Sequence, residues 1–573
     1  MRTDRDIAYL ALEIGIDERM PTYAGGLGIL AGDTLRAAAD LGLPVVGVTL
    51  LYRDGYFAQR FGPDHTQQEP NDEWRPESIL RQMTPRVTVP VDGRDVTLRA
   101  YRYDAAGVGG HVVPVYFLDS DLPENDGAAR GLTRRVYGGD PDHRIRQETL
   151  LGVGGPRMLR AIGHEVRLFH MNEGHACLAT LEALSAHVAR MTEHGAGPDR
   201  ALERDVLGSV RRRFVFTTHT PVPAGHDRFP VERVRAIFGD HPALHRPELY
   251  SDDGGHTFNT TRLALNLSGF ANAVAQRHGE VTRDMFPGYH VHAITNGVHA
   301  ASWVGRHQAA LFDEHLPGWR ARNADLRLAE RIPAAALHEA HKRAKADLLA
   351  HVGERTGRSL DPQAFTIVFA RRMTDYKRPA LVFSDTARLV QMARKIGPVQ
   401  LIFAGKAHPH DGRGRDIIQQ VHRAGAELGR TVPVVYIPGY DIALAKKLVA
   451  GADLWLNNPR PPLEASGTSG MKAALNGVPS LSTLDGWWAE ACVEGVTGWA
   501  IGAAGDDCRR ERTEEQDSRH AESLYRKLEA AVLPLYYQDR AGWLGVMRGS
   551  IAINGSYFTT ERMMREYAVM AYC

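Results

Sequence analysis

Cysteine is scarce in this 573-residue sequence, and neither sign of charge is in excess. The four cysteines are Cys177, Cys492, Cys508 and Cys573. They are far apart and form no CxxC pair, which is typical of reduced, structural thiols in a cytoplasmic protein. The 69 Lys and Arg residues nearly balance the 68 Asp and Glu residues, so the charge gives no support for a nucleic-acid partner.

Long hydrophobic runs and metal-binding motifs are also lacking. The longest apolar run, near residues 41–52, is far shorter than the roughly 20 residues that cross a bilayer. The first residues include arginines, but Glu13 interrupts the apolar stretch and no cleavage site follows, so no secretory leader is predicted. The 26 histidines form no HExxH motif and no Cys/His ligand set, so no metal site is predicted.

Short apolar runs alternate with longer helical stretches, which is typical of parallel sheets with crossover helices. One series of strand-like runs covers 45–52, 111–118, 165–171 and 214–220, and a second covers 365–372, 398–406, 432–439 and 452–458. The helical stretch 325–357 separates the two series, and the polar segment 502–523 is predicted to be an exposed loop.

This pattern predicts an α/β protein with two Rossmann-like domains that face a central cleft. The predicted domains are 1–310 and 311–545, followed by a helical segment, 546–573, which is a candidate for packing back onto the first domain. Ligands of such sheets bind beyond the carboxyl ends of the strands. The residues directly after each strand-like run are therefore the candidates for chemistry.

A glycine loop is the first candidate. Gly25, Gly26 and Gly28 precede a helical stretch, and glycines at a helix entry allow the backbone to approach an anion closely. A tight turn without any ligand explains the same residues equally well.

A basic cluster is the second candidate. Arg371, Arg372, Lys377 and Arg378 follow the strand-like run FTIVFA within eight residues. Arginine binds phosphate oxygens through two donors and lysine adds a point charge. The position at a strand end favours a phosphate site over a solvated basic turn.

The third candidate is the segment 462–472, in which small residues open a helix. Glu464 and Ser466 offer an acceptor and a hydroxyl that suit a sugar. Lys472 follows among apolar neighbours, and a lysine in such surroundings has a lowered pKa that suits covalent chemistry with an aldehyde. From this segment alone, a reactive lysine and one that snorkels from a helix both remain open.

Further polar residues end other apolar runs. They lie at 170–175, 217–221 and 295–299, together with Asn272 and His278. A single His or Asn is usually a satisfied loop residue. Several such loops beside a phosphate site predict a cleft for a polyhydroxylated, phosphorylated substrate.

At these segments the sequence resembles the α-glucan phosphorylases, the family of glycogen, starch and maltodextrin phosphorylases, in their short bacterial and archaeal type. EASGTSGMKAALNG resembles the segment that carries the family's pyridoxal phosphate lysine. Other blocks that match in family order are YAGGLGILAGD, RIRQETLLGVGG, HMNEGHA, FTTHTPVPAGHDRF, ITNGVHAASW, RRMTDYKR and LDGWWAEA. The resemblance runs from about residue 8 to residue 572 and implies a GT-B type glycosyltransferase fold.

The resemblance also implies a function, namely reversible phosphorolysis of α-1,4-glucans to glucose 1-phosphate with retention of configuration. The implied partners are an α-glucan or maltooligosaccharide, inorganic phosphate and glucose 1-phosphate. The implied cofactor is pyridoxal 5′-phosphate, whose phosphate group, rather than its ring, takes part by relaying a proton.

Residue roles follow from the same resemblance. Lys472 would carry the cofactor. The other residues implied for cofactor binding are Thr468, Arg371, Lys377, Gly25, Gly26, Trp303 and Tyr376. Those implied for the substrate phosphate and glucosyl unit are Arg372, Lys377, Glu464, Ser466, Gly467, Asn296, Leu27, Glu173 and the main chain of His278. The implied catalytic set is Lys472, Arg372, Lys377, Glu464 and His278.

The sequence departs from larger family members and leaves two rival functions. It starts almost directly at the glycine loop, so control through an N-terminal segment is not expected, and loops that shape subunit contacts look trimmed. Acceptor preference and oligomeric state stay open, with a homodimer as a candidate assembly.

One rival is a retaining GT-B glycosyltransferase that uses a nucleotide sugar or another activated donor, for which Lys472 has no purpose. The other is an inactive glucan-binding scaffold, which loss of Lys472, Arg372 or Glu464 would favour.

Overall fold

A computed structural model describes residues 7–193, 203–506 and 512–573. The strands in these ranges are β1 (Ile7–Ala11), β2 (Val45–Leu50), β3 (Arg60–Phe61), β4 (Gln67–Gln68), β5 (Arg81–Val91), β6 (Arg94–Ala106), β7 (Val112–Asp119), β8 (Leu168–Asn172), β9 (Phe214–Thr217), β10 (Arg228–Pro230), β11 (Thr257–Asn259), β12 (Phe270–Ala273), β13 (His292–Ala293), β14 (Phe365–Ala370), β15 (Val399–Ala404), β16 (Val434–Ile437), β17 (Leu454–Asn457), β18 (Ser480–Thr483) and β19 (Gly498–Ile501).

The α-helices in the same ranges are α1 (Gly26–Asp40), α2 (Gly127–Gly131), α3 (Pro141–Ile162), α4 (Leu178–Glu193), α5 (Arg204–Arg211), α6 (Val231–Phe238), α7 (Thr260–Asn266), α8 (Gln276–Met285), α9 (Ala300–Trp303), α10 (Arg306–His315), α11 (Ala334–Thr356), α12 (Thr386–Lys395), α13 (Gly412–Leu428), α14 (Ile442–Gly451), α15 (Ser469–Leu475), α16 (Trp488–Ala491), α17 (Thr513–Lys527), α18 (Leu533–Gln538), α19 (Arg540–Gly549) and α20 (Thr560–Met570). None of these helices combines the length and apolar composition that crossing a bilayer requires.

The first sheet has the strand order β13-β12-β9-β8-β1-β2-β7-β6-β5 in the described part of the chain. The strands from β13 to β7 are parallel, and β6 and β5 extend one edge in antiparallel fashion. All five residues of β1 are buried, as expected for a parallel strand that helices cover on both faces. The chain order reverses between β1 and β8, so the ends of these strands border a crevice.

The second sheet has the order β16-β15-β14-β17-β18-β19 and is parallel throughout its described strands. Its order reverses between β14 and β17. Arg371 directly follows β14, and the loop with Glu464 follows β17. The reversal therefore brings two of the predicted site segments to one edge of the sheet.

Between the two sheets the chain is helical. The predicted stretch 325–357 consists of a 3₁₀ segment, Asn323–Arg331, followed by α11. Residue 310 lies within α10, after the last strand of the first sheet, and residue 545 lies within α19.

The final helix, α20, lies against the first sheet. Met563 and Tyr567 share a hydrophobic core with β1 and α1. The Tyr567 hydroxyl accepts a hydrogen bond from Nδ2 of Asn272 at 2.9 Å, and Nδ1 of His170 lies 2.7 Å from the Tyr572 hydroxyl. Because buried polar groups need partners, these bonds tie the C-terminal segment to β12 and β8.

The predicted exposed loop at 502–523 is wrong over part of its length. Residues 507–511, which include Cys508, lie outside the described residues. From Thr513 the chain forms α17, whose buried face includes Gln516 and His520. Nη2 of Arg378 donates to Nδ1 of His520 at 2.8 Å. The buried face of this helix is partly polar. A polar composition is therefore not sufficient to predict an exposed loop here.

A buried ion network stabilises the second sheet. The Asp453 carboxylate accepts hydrogen bonds from Nζ of Lys345 at 2.5 Å and from the Thr366 amide at 2.8 Å, and it lies 2.9 Å from Nε2 of His341. Burial alone would raise the pKa of Asp453, but the Lys345 ammonium and His341 hold that pKa below its usual value. A carboxyl with a lowered folded pKa stabilises the fold above its unfolded pKa, and this is lost as the pH falls through the folded value.

Asp453→Ala is expected to lower the free energy of unfolding by about 3–5 kcal/mol at pH 7, because Lys345 is left buried without its counter-charge. Chemical denaturation measures this value. Asp385 is an exposed helix-capping residue, and Asp385→Ala should cost only about 1 kcal/mol. Equal losses in the two variants would contradict the role given to the network.

Candidate active site

A cavity of about 530 Å³ lies between the two sheets. Its lining includes these predicted site residues: Gly25, Gly26, Leu27, Asn296, Trp303, Arg371, Arg372, Tyr376, Lys377, Glu464, Ser466, Gly467, Thr468 and Lys472. The first five belong to the part of the chain before residue 310, and the others lie in or beside the second sheet. The cavity is therefore built by both halves of the chain.

The glycine loop forms one wall and is held from behind by Glu13. The Glu13 carboxylate accepts hydrogen bonds from the amides of Ala24 at 2.5 Å and Gly25 at 3.2 Å. A Cβ at Gly28 would lie 2.8 Å from the same carboxylate, so a side chain there does not fit. A Cβ at Gly25 would lie 3.3 Å from Nη2 of Arg372. The loop thus faces the basic cluster at close range.

The basic cluster converges on one carboxylate. Oε2 of Glu464 lies 2.8 Å from Nη2 of Arg371 and 2.7 Å from Nζ of Lys377. Burial alone would raise the pKa of Glu464, but Arg371 and Lys377 together lower it to about 2. Arg372 lines the same cavity, so these three cations and the Glu464 carboxylate together carry a net charge of +2. Such a surplus suits the binding of anions.

Lys472 points into the cavity from α15. Its Nζ lies 3.8 Å from the centroid of the Trp303 ring. Burial lowers the pKa of Lys472 to about 8, although the Asp33 carboxylate acts in the opposite direction. Asp33 itself accepts a hydrogen bond from Nε1 of Trp303 at 2.8 Å. The amine therefore lies in an enclosed site and does not snorkel to solvent, and a substantial fraction of it is neutral near pH 8.

Three residues of the cavity lining, Asn296, Arg371 and Ser466, have spare hydrogen-bonding capacity. Oδ1 of Asn296 and Nη1 of Arg371 are buried and have no hydrogen-bond partner among residues 7–193, 203–506 and 512–573. The Ser466 hydroxyl makes only a long contact, 3.4 Å, with the Gly467 carbonyl. Their spare hydrogen-bonding capacity suits a ligand rich in polar groups.

Two predicted residues do not line the cavity. His278 lies on α8, where its Nδ1 accepts a hydrogen bond from the Val274 amide at 3.3 Å and its carbonyl accepts one from the Thr282 hydroxyl at 2.8 Å. Glu173 accepts from the His219 amide at 2.7 Å. His278 and Glu173 thus lie outside the cavity lining, and their roles toward a substrate stay predictions.

The sequence reasoning missed three residues that act on the site. His219 lines the cavity two residues after β9, and Glu13 and Asp33 support the glycine loop and Trp303. Each of them follows a strand or lies in a segment already singled out. The rule that chemistry follows a strand's carboxyl end would have favoured His219 over His278.

A cluster of metal-ligand residue types lies beside this region. Ligand atoms of Glu148, His175 and Asp227 come within 4.8 Å of one another. Arg144 donates to Glu148 at 2.9 Å and to Asp227 at 2.9 Å, and its Nη2 lies 2.8 Å from Nε2 of His175. The guanidinium therefore supplies the positive charge that a cation would bring.

Two α/β units with parallel sheets thus face each other across a crevice, with a cationic cluster on one side and a glycine loop on the other. This arrangement is the GT-B class of glycosyltransferase folds.

The sequence profile of the carbohydrate phosphorylases matches residues 226–532. The chain is 37% identical to a maltodextrin phosphorylase of Thermococcus litoralis over 604 residues, which cover 99% of this chain and 70% of that protein. It is 38% identical to a glycogen phosphorylase of Mycobacterium bovis over 628 residues, with the same coverage of 99% and 70%. A glycogen phosphorylase of Aquifex aeolicus is 34% identical, with 98% of this chain and 85% of that protein covered. The chain belongs to the carbohydrate phosphorylase family.

Proposed function

We propose that this protein is a pyridoxal phosphate-dependent α-glucan phosphorylase that cleaves α-1,4-glucans with inorganic phosphate to give glucose 1-phosphate. The observation that carries the proposal is the convergence of Lys472, the basic cluster and Glu464 on one cavity. The relatives named maltodextrin and glycogen phosphorylase support an α-glucan as the substrate. A cytoplasmic location belongs to the same proposal, because sparse cysteines without any CxxC pair suit a reducing compartment.

The residues around Lys472 fit pyridoxal phosphate. An enclosed amine with a pKa of about 8 is suited to bind an aldehyde, and the Trp303 ring lies beside it. Arg371 lines the same cavity, and its Nη1 has no hydrogen-bond partner among the described residues. Lys472 would hold the cofactor covalently, while Thr468, Arg371, Lys377 and the backbone of Gly25 and Gly26 would hold its phosphate and Trp303 and Tyr376 would border its ring. When bound, the cofactor supplies a phosphate group that can give and take a proton beside the substrate phosphate.

The basic cluster makes it possible to bind a second phosphate. Two phosphate groups in one cavity repel each other, and a local charge of +2 offsets much of that repulsion. Arg372 lies against the glycine loop in the cavity lining and would bind inorganic phosphate or the phosphate of glucose 1-phosphate. Lys377 contributes its ammonium to the same region.

The glucosyl unit would bind on the side of Glu464. Oε2 of Glu464 is engaged by Arg371 and Lys377, and a Cβ at Gly467 would lie 3.5 Å from Oε1, which places this oxygen beside the turn. Because its pKa is about 2, Glu464 is ionised at neutral pH and accepts hydrogen bonds from sugar hydroxyls. Ser466 and Asn296 add a hydroxyl and an amide. A fixed negative charge also stabilises positive charge that develops on the glucosyl unit.

The visible absorption spectrum of the purified protein tests this proposal. Cofactor-saturated protein is expected to show an absorption band of lysine-bound pyridoxal, and borohydride reduction should remove the band and leave the label on the peptide that contains Lys472. A nucleotide-sugar enzyme would give neither result. Absence of the band after saturation with cofactor would contradict the proposed function.

A further inference from the structure

The turn that begins at Asp485 lies directly behind Glu464 and Ser466, the two residues that form the wall of the proposed glucosyl site. Oδ2 of Asp485 accepts a hydrogen bond from the Glu464 amide at 2.8 Å, and Oδ1 accepts one from the Gly486 amide at 2.9 Å. The Trp487 amide donates to the Ser466 carbonyl at 2.9 Å. The turn is therefore bonded to both residues that offer polar groups to the sugar.

The contact between turn and wall is also tight. Gly486 has φ +52°, and a Cβ at this position would lie 2.4 Å from the Ser466 carbonyl oxygen. The wall cannot relax away from the cavity without displacing the turn. Asp485 is only 3% exposed and is not among the residues that line the cavity. It acts on the site through Glu464 and Ser466 and does not touch a ligand there.

A carboxylate at this position is electrostatically unfavourable. Burial, reinforced by the charge of Glu464, raises the pKa of Asp485 to about 7, and the Glu464 and Gly486 amides and Arg277 act in the opposite direction. When folding raises the pKa of a carboxyl, the free energy of unfolding falls as the pH rises from the unfolded pKa to the folded pKa. Fold stability at neutral pH therefore gives no reason for an ionisable group here. Costly groups of this kind are concentrated at functional sites.

We propose that Asp485 is a positioning residue for the glucosyl half of the site. It fixes the main chain of Glu464, so that one carboxylate oxygen meets Arg371 and Lys377 while the other stays beside Gly467 and free for the sugar. This role rests on the proposed function, because it assumes that the wall binds a glucosyl unit.

The test is Asp485→Asn in the cofactor-loaded, full-length protein. An amide can accept a hydrogen bond from the Glu464 or the Gly486 amide through its one oxygen, and its NH2 group then faces the other N–H. We expect the KM for glucose 1-phosphate to rise roughly tenfold, the usual effect of losing a hydrogen bond to a charged group. The KM for the glucan acceptor should change less than twofold. The melting temperature at pH 8 should stay close to that of the unchanged protein, because an unfavourable buried charge is removed.

Asp119→Asn is the matched control. Asp119 is also fully buried and accepts a hydrogen bond from a backbone amide, that of Asp121 at 3.0 Å, but it lies at the end of β7 and outside the cavity lining. This variant should lose thermal stability, because Arg53 and Arg99 each lose a buried charged partner, while its KM for glucose 1-phosphate is unchanged.

The outcomes separate the two proposals. An unchanged KM for glucose 1-phosphate in Asp485→Asn would overturn the positioning role, and so would a fall in melting temperature as large as that of Asp119→Asn without a change in KM. Asp485→Glu restores the charge one methylene further out and should give an intermediate KM. If neither variant yields folded, loaded protein, the residue is structural and the proposal fails. Absence of glucose 1-phosphate activity in the unchanged protein would instead contradict the proposed function.

Discussion

Lys472→Ala is expected to abolish glucose 1-phosphate formation, with a fall in kcat/KM of at least about a thousandfold, and to leave the fold intact. The amine that would hold the cofactor lies 3.8 Å from the Trp303 ring in an enclosed site. Without it the proposed cofactor would lose its covalent attachment, and its phosphate group would no longer be held in the cavity. Asp33 keeps its hydrogen bond to Trp303, so the substitution leaves no unpaired buried carboxylate.

The measurement is the rate of phosphate-dependent glucose 1-phosphate release, together with circular dichroism and the absorption spectrum. Lys395 is exposed at the end of α12 and lies outside the cavity lining, so Lys395→Ala should match the unchanged protein. Substantial activity in folded Lys472→Ala protein would show that the assignment of the cofactor lysine is wrong.

Glu464→Gln is expected to lower kcat/KM by about 100- to 1,000-fold. Its carboxylate is the shared partner of Arg371 and Lys377, at 2.8 and 2.7 Å, and a neutral amide cannot balance both cations. The variant also loses the fixed negative charge beside the glucosyl unit. Its local charge rises from +2 to +3, so inorganic phosphate should still bind and should raise the melting temperature more than it does in the unchanged protein.

Steady-state kinetics and thermal unfolding with and without phosphate measure the two effects. Glu522→Gln is the matched control, because Glu522 is 65% exposed and its ion pair with Arg388 lies on the surface. Such exposed pairs contribute about 0–1 kcal/mol, so this variant should behave like the unchanged protein. Full activity in Glu464→Gln would contradict the role given to the carboxylate.

The predicted strand-like runs coincide with β2, β7, β8 and β9 of the first sheet and with β14 to β17 of the second, because strands buried on both faces are mostly apolar, as β14 and β15 are apart from Thr366 and Gln400. The short parallel strands β1, β12, β13, β18 and β19 are not among the predicted runs. The antiparallel strands β5 and β6 are not predicted, because they are not apolar runs. β5 alternates between buried and exposed positions only near its end, and most of its residues are exposed or half-buried. The helix α17 is not predicted for a related reason, since part of its buried face is polar.

The lining of the cavity is predictable where site residues directly follow strands, as Arg371 follows β14. His278 shows the limit of this reasoning, because this polar residue, five positions beyond β12, lies on α8 and outside the cavity lining, where its Nδ1 accepts a hydrogen bond from the Val274 amide. Asp485 shows another limit. It meets Glu464 across 21 positions of sequence, and no local pattern reveals a contact made only by the packing of two loops.

The anomeric form of the product tests the central claim most directly. Cofactor-saturated protein is incubated with maltodextrin and inorganic phosphate, and the products are followed by nuclear magnetic resonance. The account predicts glucose 1-phosphate in the α configuration, formed only when phosphate is present and without any nucleotide. Absence of glucose 1-phosphate, formation of the β anomer, or transfer only from a nucleotide sugar would contradict it.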